Sequence, residues 1–102
     1  MVEEQTGDSI VLGGNIVLNG FQEIDGASMI ILKKLIGNHV RQLSDKAQQF
    51  EKIELTIEHD NNIFAVKGIA HDAGTPYEAQ HEASNLFISV DQVLKKINSA
   101  MQ

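Results

Sequence analysis

Residues Tyr77-Glu78-Ala79-Gln80-His81-Glu82-Ala83-Ser84-Asn85-Leu86-Phe87-Ile88-Ser89-Val90-Asp91-Gln92-Val93-Leu94-Lys95-Lys96-Ile97 decide the reading of this chain. Up to Ala83, the residues Tyr77, Ala79, His81 and Ala83 alternate with Glu78, Gln80 and Glu82, the pattern of a strand with one wet face. Ser84 or Asn85 can then cap a helix, because either side chain accepts a hydrogen bond from an otherwise unpaired amide. Beyond the cap, Leu86, Val90, Val93, Leu94, Ile97 and Met101 form one apolar stripe, and Lys95 points away from it. Strand and helix therefore meet with almost no linker.

Working back toward the N-terminus, Ile53, Leu55 and Ile57 alternate with Glu54, Thr56 and Glu58 in a second strand of the same kind. His59-Asp60-Asn61-Asn62 reads as a turn, and residues 63–71 as a strand with Phe64 and Val66 on one face and Ile69 on the other. Asp72-Ala73-Gly74 turns the chain again, and Pro76 lies near the start of the next strand, where a missing amide hydrogen costs least. Asp25 is a good N-cap for a long helix in which Met29, Leu32, Ile36, Val40, Leu43 and Ala47 recur every three or four residues. That stripe spans about five turns, and Gly37 interrupts it at a cost of about 1 kcal/mol relative to alanine.

The start of the chain is less regular. Residues 1–9 are acidic and aperiodic, which predicts disorder. Ser9-Ile10-Val11-Leu12-Gly13-Gly14 is then nearly repeated as Asn15-Ile16-Val17-Leu18-Asn19-Gly20. Either the two copies form a hairpin through Gly13-Gly14, or only residues 16–18 join a sheet and residues 10–12 make a loose edge. The second alternative is preferred, so that residues 1–14 are an acidic tail or short edge strand and residues 15–102 one domain. The element order is β-α-β-β-β-α, an α+β fold with two helices packed on one face of a four-stranded, mainly antiparallel sheet.

With 102 residues the chain is long enough for one core, and with no cysteine it has neither disulfides nor a thiolate metal site. The longest apolar run, Met29 to Leu32, is far too short to cross a bilayer. The N-terminus lacks the basic-then-apolar order of a signal peptide, so a cytoplasmic location is expected. His39, His59, His71 and His81 show no i, i+4 or His-x-His spacing, and no metal or other cofactor is expected. No Gly-x-Ser-x-Gly or phosphate-cradling glycine motif is present, and Glu54, Glu58, Glu78 and Glu82 read as solubilising acids on wet strand faces. No catalytic residue, small-molecule substrate or enzymatic activity follows from the sequence.

The net charge of −6 is unevenly spread. Residues 1–25 hold five acids and no base, whereas residues 26–50 hold Lys33, Lys34, Arg41 and Lys46 against Asp45 alone. On a helical wheel Lys34 and Arg41 lie nearly opposite the apolar stripe, while Lys33 and Lys46 flank it. Lys95 and Lys96 add two more bases on the second helix. Ordinary solvated helices also carry such bases. Adjacent helices could nevertheless merge them into one surface for phosphates, with Arg41 binding in bidentate fashion and the lysines acting as point charges.

The Asn85-Leu86-Phe87-x-x-Val90-Asp91 junction resembles the end of the single-domain ribosome hibernation-promoting factor family, also called the protein-Y or sigma-modulation family. The resemblance extends over roughly residues 15 to 100, through Ile16-Val17-Leu18-Asn19-Gly20, Ile24-Asp25 and Phe50-Glu51-Lys52-Ile53. It implies a factor that occupies the messenger and transfer RNA channel of the small ribosomal subunit and silences idle ribosomes. It also implies that the RNA-binding residues are Lys33, Lys34, Arg41, Lys46, Lys95 and Lys96. That family's helices usually carry more bases, and an acidic N-terminus would hinder docking to RNA. The alternative is a protein-interaction or self-association module on the same scaffold, without RNA binding.

Overall fold

The computed structural model describes residues 3–6 and 9–101. Its elements are β1 (Glu3–Thr6), β2 (Ser9–Leu12), β3 (Ile16–Asn19), α1 (Gly26–Lys46), β4 (Phe50–Asp60), β5 (Ile63–Asp72), β6 (Thr75–Ala83) and α2 (Leu86–Ala100). The strands form one sheet in the order β1-β2-β3-β4-β5-β6. Among the described residues only β3 and β4 pair in parallel, with Ile16 opposite Ile53 and Leu18 opposite Leu55. A parallel pair cannot be joined by a tight turn, and α1 supplies the crossover.

The α+β class and the placement of both helices on one sheet face agree with the sequence reading, but the sheet has six strands rather than four. The hairpin alternative is the one realised. Leu12 opposes Ile16 across Gly13-Gly14, whose φ angles of 61° and 83° suit glycine. Strand β2 lies inside the sheet, with Ile10 and Leu12 buried, so residues 10–12 are not a loose edge. Residues 3–6 form the edge strand β1 instead of the expected disordered tail, while residues 1, 2, 7 and 8 lie outside the described residues. An edge strand joins a sheet through backbone hydrogen bonds, which leave no hydrophobic alternation to read.

Alternation settles which sheet face is covered. Ile53, Leu55 and Ile57 of β4, Val66 and Ala70 of β5, and Ile16 and Leu18 of β3 all turn inward. Each of the buried Val, Leu and Ile side chains contributes roughly 1.5–3 kcal/mol, and Ala70 less. From above, α1 contributes Met29, Leu32, Ile36, Val40 and Leu43, and α2 contributes Leu86, Val90, Val93, Leu94 and Ile97. Asp25 and Asn85 cap the two helices through Ser28 N at 3.0 Å and Phe87 N at 2.9 Å. Helix α1 runs unbroken through Gly37.

Asn61-Asn62 and Ala73-Gly74 reverse the chain with positive φ at both positions, which marks mirror-image turns that match strand twist. Buried Asp72 ties the second turn to the α1–β4 connection by accepting from Gln49 N at 2.7 Å and Gln48 N at 3.3 Å.

Gly68 lets α2 lie close to the sheet. A Cβ there would stand 2.7 Å from Val93 Cγ1, 2.9 Å from Leu55 Cδ2 and 3.0 Å from Ile97 Cδ1. Gly68→Ala is expected to destabilise the fold by about 1–3 kcal/mol through overpacking, at roughly 4–8 °C of Tm per kcal/mol for a domain of this size. Gly26→Ala, where an added methyl meets nothing within 4 Å, should leave Tm unchanged or raise it. Thermal unfolding followed by circular dichroism checks both variants.

Candidate nucleic-acid interface on the helical layer

The strand directions align the two helices. His39 meets Asp91 and Lys46 meets Asn98, both at a separation of 52 residues, so α1 and α2 run parallel and in register. Their solvent-facing sides form one continuous layer. On α1, exposed Lys34 and Arg41 lie about two turns apart. Among the described residues, neither is held by an ion pair or a side-chain hydrogen bond. Lys33 is half-buried on the flank of α1 and has a partner of its own.

The other bases are engaged locally. Lys46 Nζ donates to Asn98 O at 2.9 Å and Asn98 Oδ1 at 2.5 Å, binding the C-terminal turns of both helices. Two parallel helices place their negative dipole ends together, and a cation at that end relieves the repulsion. Lys95 Nζ lies 3.0 Å from Asp91 Oδ2. Lys96 turns the other way, over the β6 edge, donating to Gln80 O at 2.9 Å with His81 Nδ1 at 3.3 Å. The fold therefore brings Lys34, Arg41, Lys46 and Lys95 onto one layer, places Lys33 on its flank, and directs Lys96 away.

Two acids share this layer with the bases, exposed Asp45 on α1 and half-buried Asp91 on α2. His39 Nε2 lies 2.7 Å from Asp91 Oδ1, a geometry in which a neutral imidazole carries its proton on Nε2. His39 Nδ1 is buried and has no hydrogen-bond partner among the described residues. Burial raises the Asp91 pKa, but the bonds from Lys95 and His39 outweigh it and hold the carboxyl below its ordinary value of 3.8.

Sequence reasoning missed a largely apolar groove between the helices. Ile31, Leu35, Phe87, Ile88 and the acid Asp91 line a depression of about 330 Å³ between the N-terminal halves of the helices. Ile31 is 55% exposed and Ile88 50%, and Ile30 on the far flank of α1 is 61% exposed. The signal was present in the chain, because Ile31 and Ile88 fall well outside the apolar stripes of their helices. The opposite sheet face carries a trough of about 560 Å³ in which Lys67 and Lys96 mix with Glu58 and Glu82. Among the described residues, no three His, Cys, Asp or Glu side chains gather as a metal site. No helix of the described residues is long and apolar enough to cross a membrane.

No family model and no curated relative matches the sequence. Solved structures do match. The Thermus thermophilus Protein Y N-terminal domain superposes with a TM-score of 0.66 at 11% identity, covering 85% of this chain and 91% of that one. This chain shares its fold. A ribosomal subunit interface protein from Coxiella burnetii superposes with a TM-score of 0.59 at 18% identity, covering 85% of this chain and 90% of its own. At these identities the likeness to Protein Y and the interface protein concerns the backbone scaffold and not the side chains on it.

A depressed carboxyl pKa stabilises the fold above the unfolded-state value and loses that contribution as pH falls through the folded-state value. The Asp91 contribution should therefore be intact above about pH 4 and disappear in more acidic solution. Asp91→Asn should have a lower Tm than the parent near neutrality and a shallower decline below pH 4. Melting curves recorded across the acid range check this.

Proposed function

We propose that the chain is a ribosome-associated factor that binds small-subunit RNA through its helical layer and acts by occupying a channel, with no bond made or broken. The observation that carries this reading is the union of two features. The scaffold is shared with the Coxiella burnetii ribosomal subunit interface protein, and Lys34, Arg41, Lys46 and Lys95 are collected on one layer of a chain whose net charge is −6. Segregated charge matters more to a polyanion than total charge, because attraction is set by the surface that meets it within a Debye length of about 8 Å. Lys34 and Arg41 are exposed for phosphate contact. Lys46 and Lys95 lie at the seam and Lys33 at the margin, while Lys96 points away over the β6 edge and stands outside the set. The acidic sheet face is then turned toward solvent.

The second reading, a protein-interaction module, is favoured by the exposed isoleucines on the same layer, which no phosphate contact would use.

Salt dependence separates the two. With about four phosphate contacts, log affinity should fall against log salt with a slope of roughly −3 to −4. Lys34→Glu combined with Arg41→Glu should weaken ribosome co-sedimentation and reduce that slope by about two units, while leaving Tm unchanged. Unchanged co-sedimentation of the double variant would overturn RNA binding through α1.

A further inference from the structure

We propose that Asp91 and His39 form a proton-controlled counter-ion within the helical layer, which sets how strongly that layer binds a polyanion. The inference rests on the RNA reading above and names its regulation. One carboxylate has two claimants. Asp91 Oδ1 lies 2.7 Å from His39 Nε2, and Asp91 Oδ2 lies 3.0 Å from Lys95 Nζ. Asp91 therefore occupies Lys95, the base that α2 adds beside Lys34 and Arg41, and competes there with any phosphate. While His39 is neutral, the charges of Asp91 and Lys95 cancel. A proton on His39 balances Asp91 instead and leaves the Lys95 charge available to a ligand.

The surroundings of the ring make that proton depend on Asp91. The His39 side chain is only 13% exposed, and its Nδ1 is buried without a hydrogen-bond partner among the described residues. A charged imidazole has two N–H donors, and here only the one on Nε2 meets an acceptor. Burial raises the Asp91 pKa, but the bonds from Lys95 and His39 hold the carboxyl below 3.8, so it stays ionised wherever an imidazole titrates. Other charged groups have different engagements. On α1, Lys46 is about two turns further on and held by Asn98, while Arg41 and Asp45 are exposed. The titratable groups on the inward side of the sheet are Asp72, Tyr77 and His81, as the register with Ala70 and Val66 shows. Asp72 is tied to the amides of Gln48 and Gln49, and His81 lies beside Lys96 at the β6 edge. Binding and protonation are then reciprocal: a phosphate at Lys95 favours the charged ring, and the charged ring favours the phosphate.

Two measurements on the purified chain test the proposal without ribosomes. Followed by NMR, the His39 ring should titrate at lower pH in Asp91→Asn than in the parent, and an unmoved midpoint overturns the coupling. Immobilised heparin then serves as the polyanion. Parent retention should strengthen between about pH 8 and about pH 6, with a salt slope steeper by about one unit. His59, His71 and His81 also gain charge over that range, but they lie on the strands. His39→Gln keeps a donor for Asp91 yet takes no proton, so it should lose most of the increase. At about pH 8, Asp91→Asn should elute at higher salt than the parent, and at higher salt than Glu82→Gln, which removes one negative charge from the sheet. Three results overturn the proposal: a parent not retained at either pH, an increase undiminished in His39→Gln, or equal gains from the Asp91 and Glu82 variants. Co-sedimentation with ribosomes at the same pH values is read separately. Its absence throughout removes the RNA reading, while heparin retention and the NMR titration still decide the counter-ion.

Discussion

The parallel pairing of Ile16–Asn19 with Ile53–Thr56 requires the chain to return across the sheet between those strands, and α1 is that return. The antiparallel pairs β4–β5 and β5–β6 then leave β6 pointing the same way as β3, so α2, which follows β6, runs beside α1 in the same direction. One parallel joint thereby sets the orientation of both helices. It brings their N-termini together at the end bearing the apolar groove, and their C-termini together where Lys46 spans them. Gly68 sets how closely the second helix may approach, since any side chain there would collide with Val93, Leu55 and Ile97.

This arrangement sorts charge by layer. Strand alternation sends Glu54, Glu58, Glu78 and Glu82 to the uncovered sheet face, because the inward positions between them are needed for the core. Helical periodicity sends Lys34 and Arg41 to the far side of α1 for the same reason. The sorting is incomplete, because Lys67 pairs with Glu78 and lines the sheet-face trough with Lys96, while Asp45 and Asp91 stand among the bases of the helical layer.

Tertiary packing then decides how much cationic surface remains available. Asp91 faces the seam between the helices, where it engages both His39 and Lys95 and removes part of the positive charge that α2 would otherwise contribute. Lys96 follows Lys95 in the chain but lies about 100° further round the helix, and it covers the exposed carbonyl of Gln80 on the β6 edge. A lysine in that place discourages edge-to-edge pairing of sheets. Neighbouring bases in the chain therefore serve different ends.

Much of the fold was legible from periodicity alone. The strands from Ile53 to Ala83, both helices, their caps at Asp25 and Asn85, and the common face for the two helices follow from residue spacing and the need to bury one side of each element. The strands β1 and β2 were less legible, because short strands are stabilised by backbone pairing that leaves little trace in side-chain order. For the candidate interface, the outward placement of Lys34 and Arg41 could be read from a helical wheel, which needs only the helix itself. The fates of Lys46, Lys95 and Lys96, the His39–Asp91 contact and the Ile31–Ile88 groove could not. Each depends on which side chain of the neighbouring helix or strand stands opposite, and that is decided by the distance and register at which separately encoded elements pack.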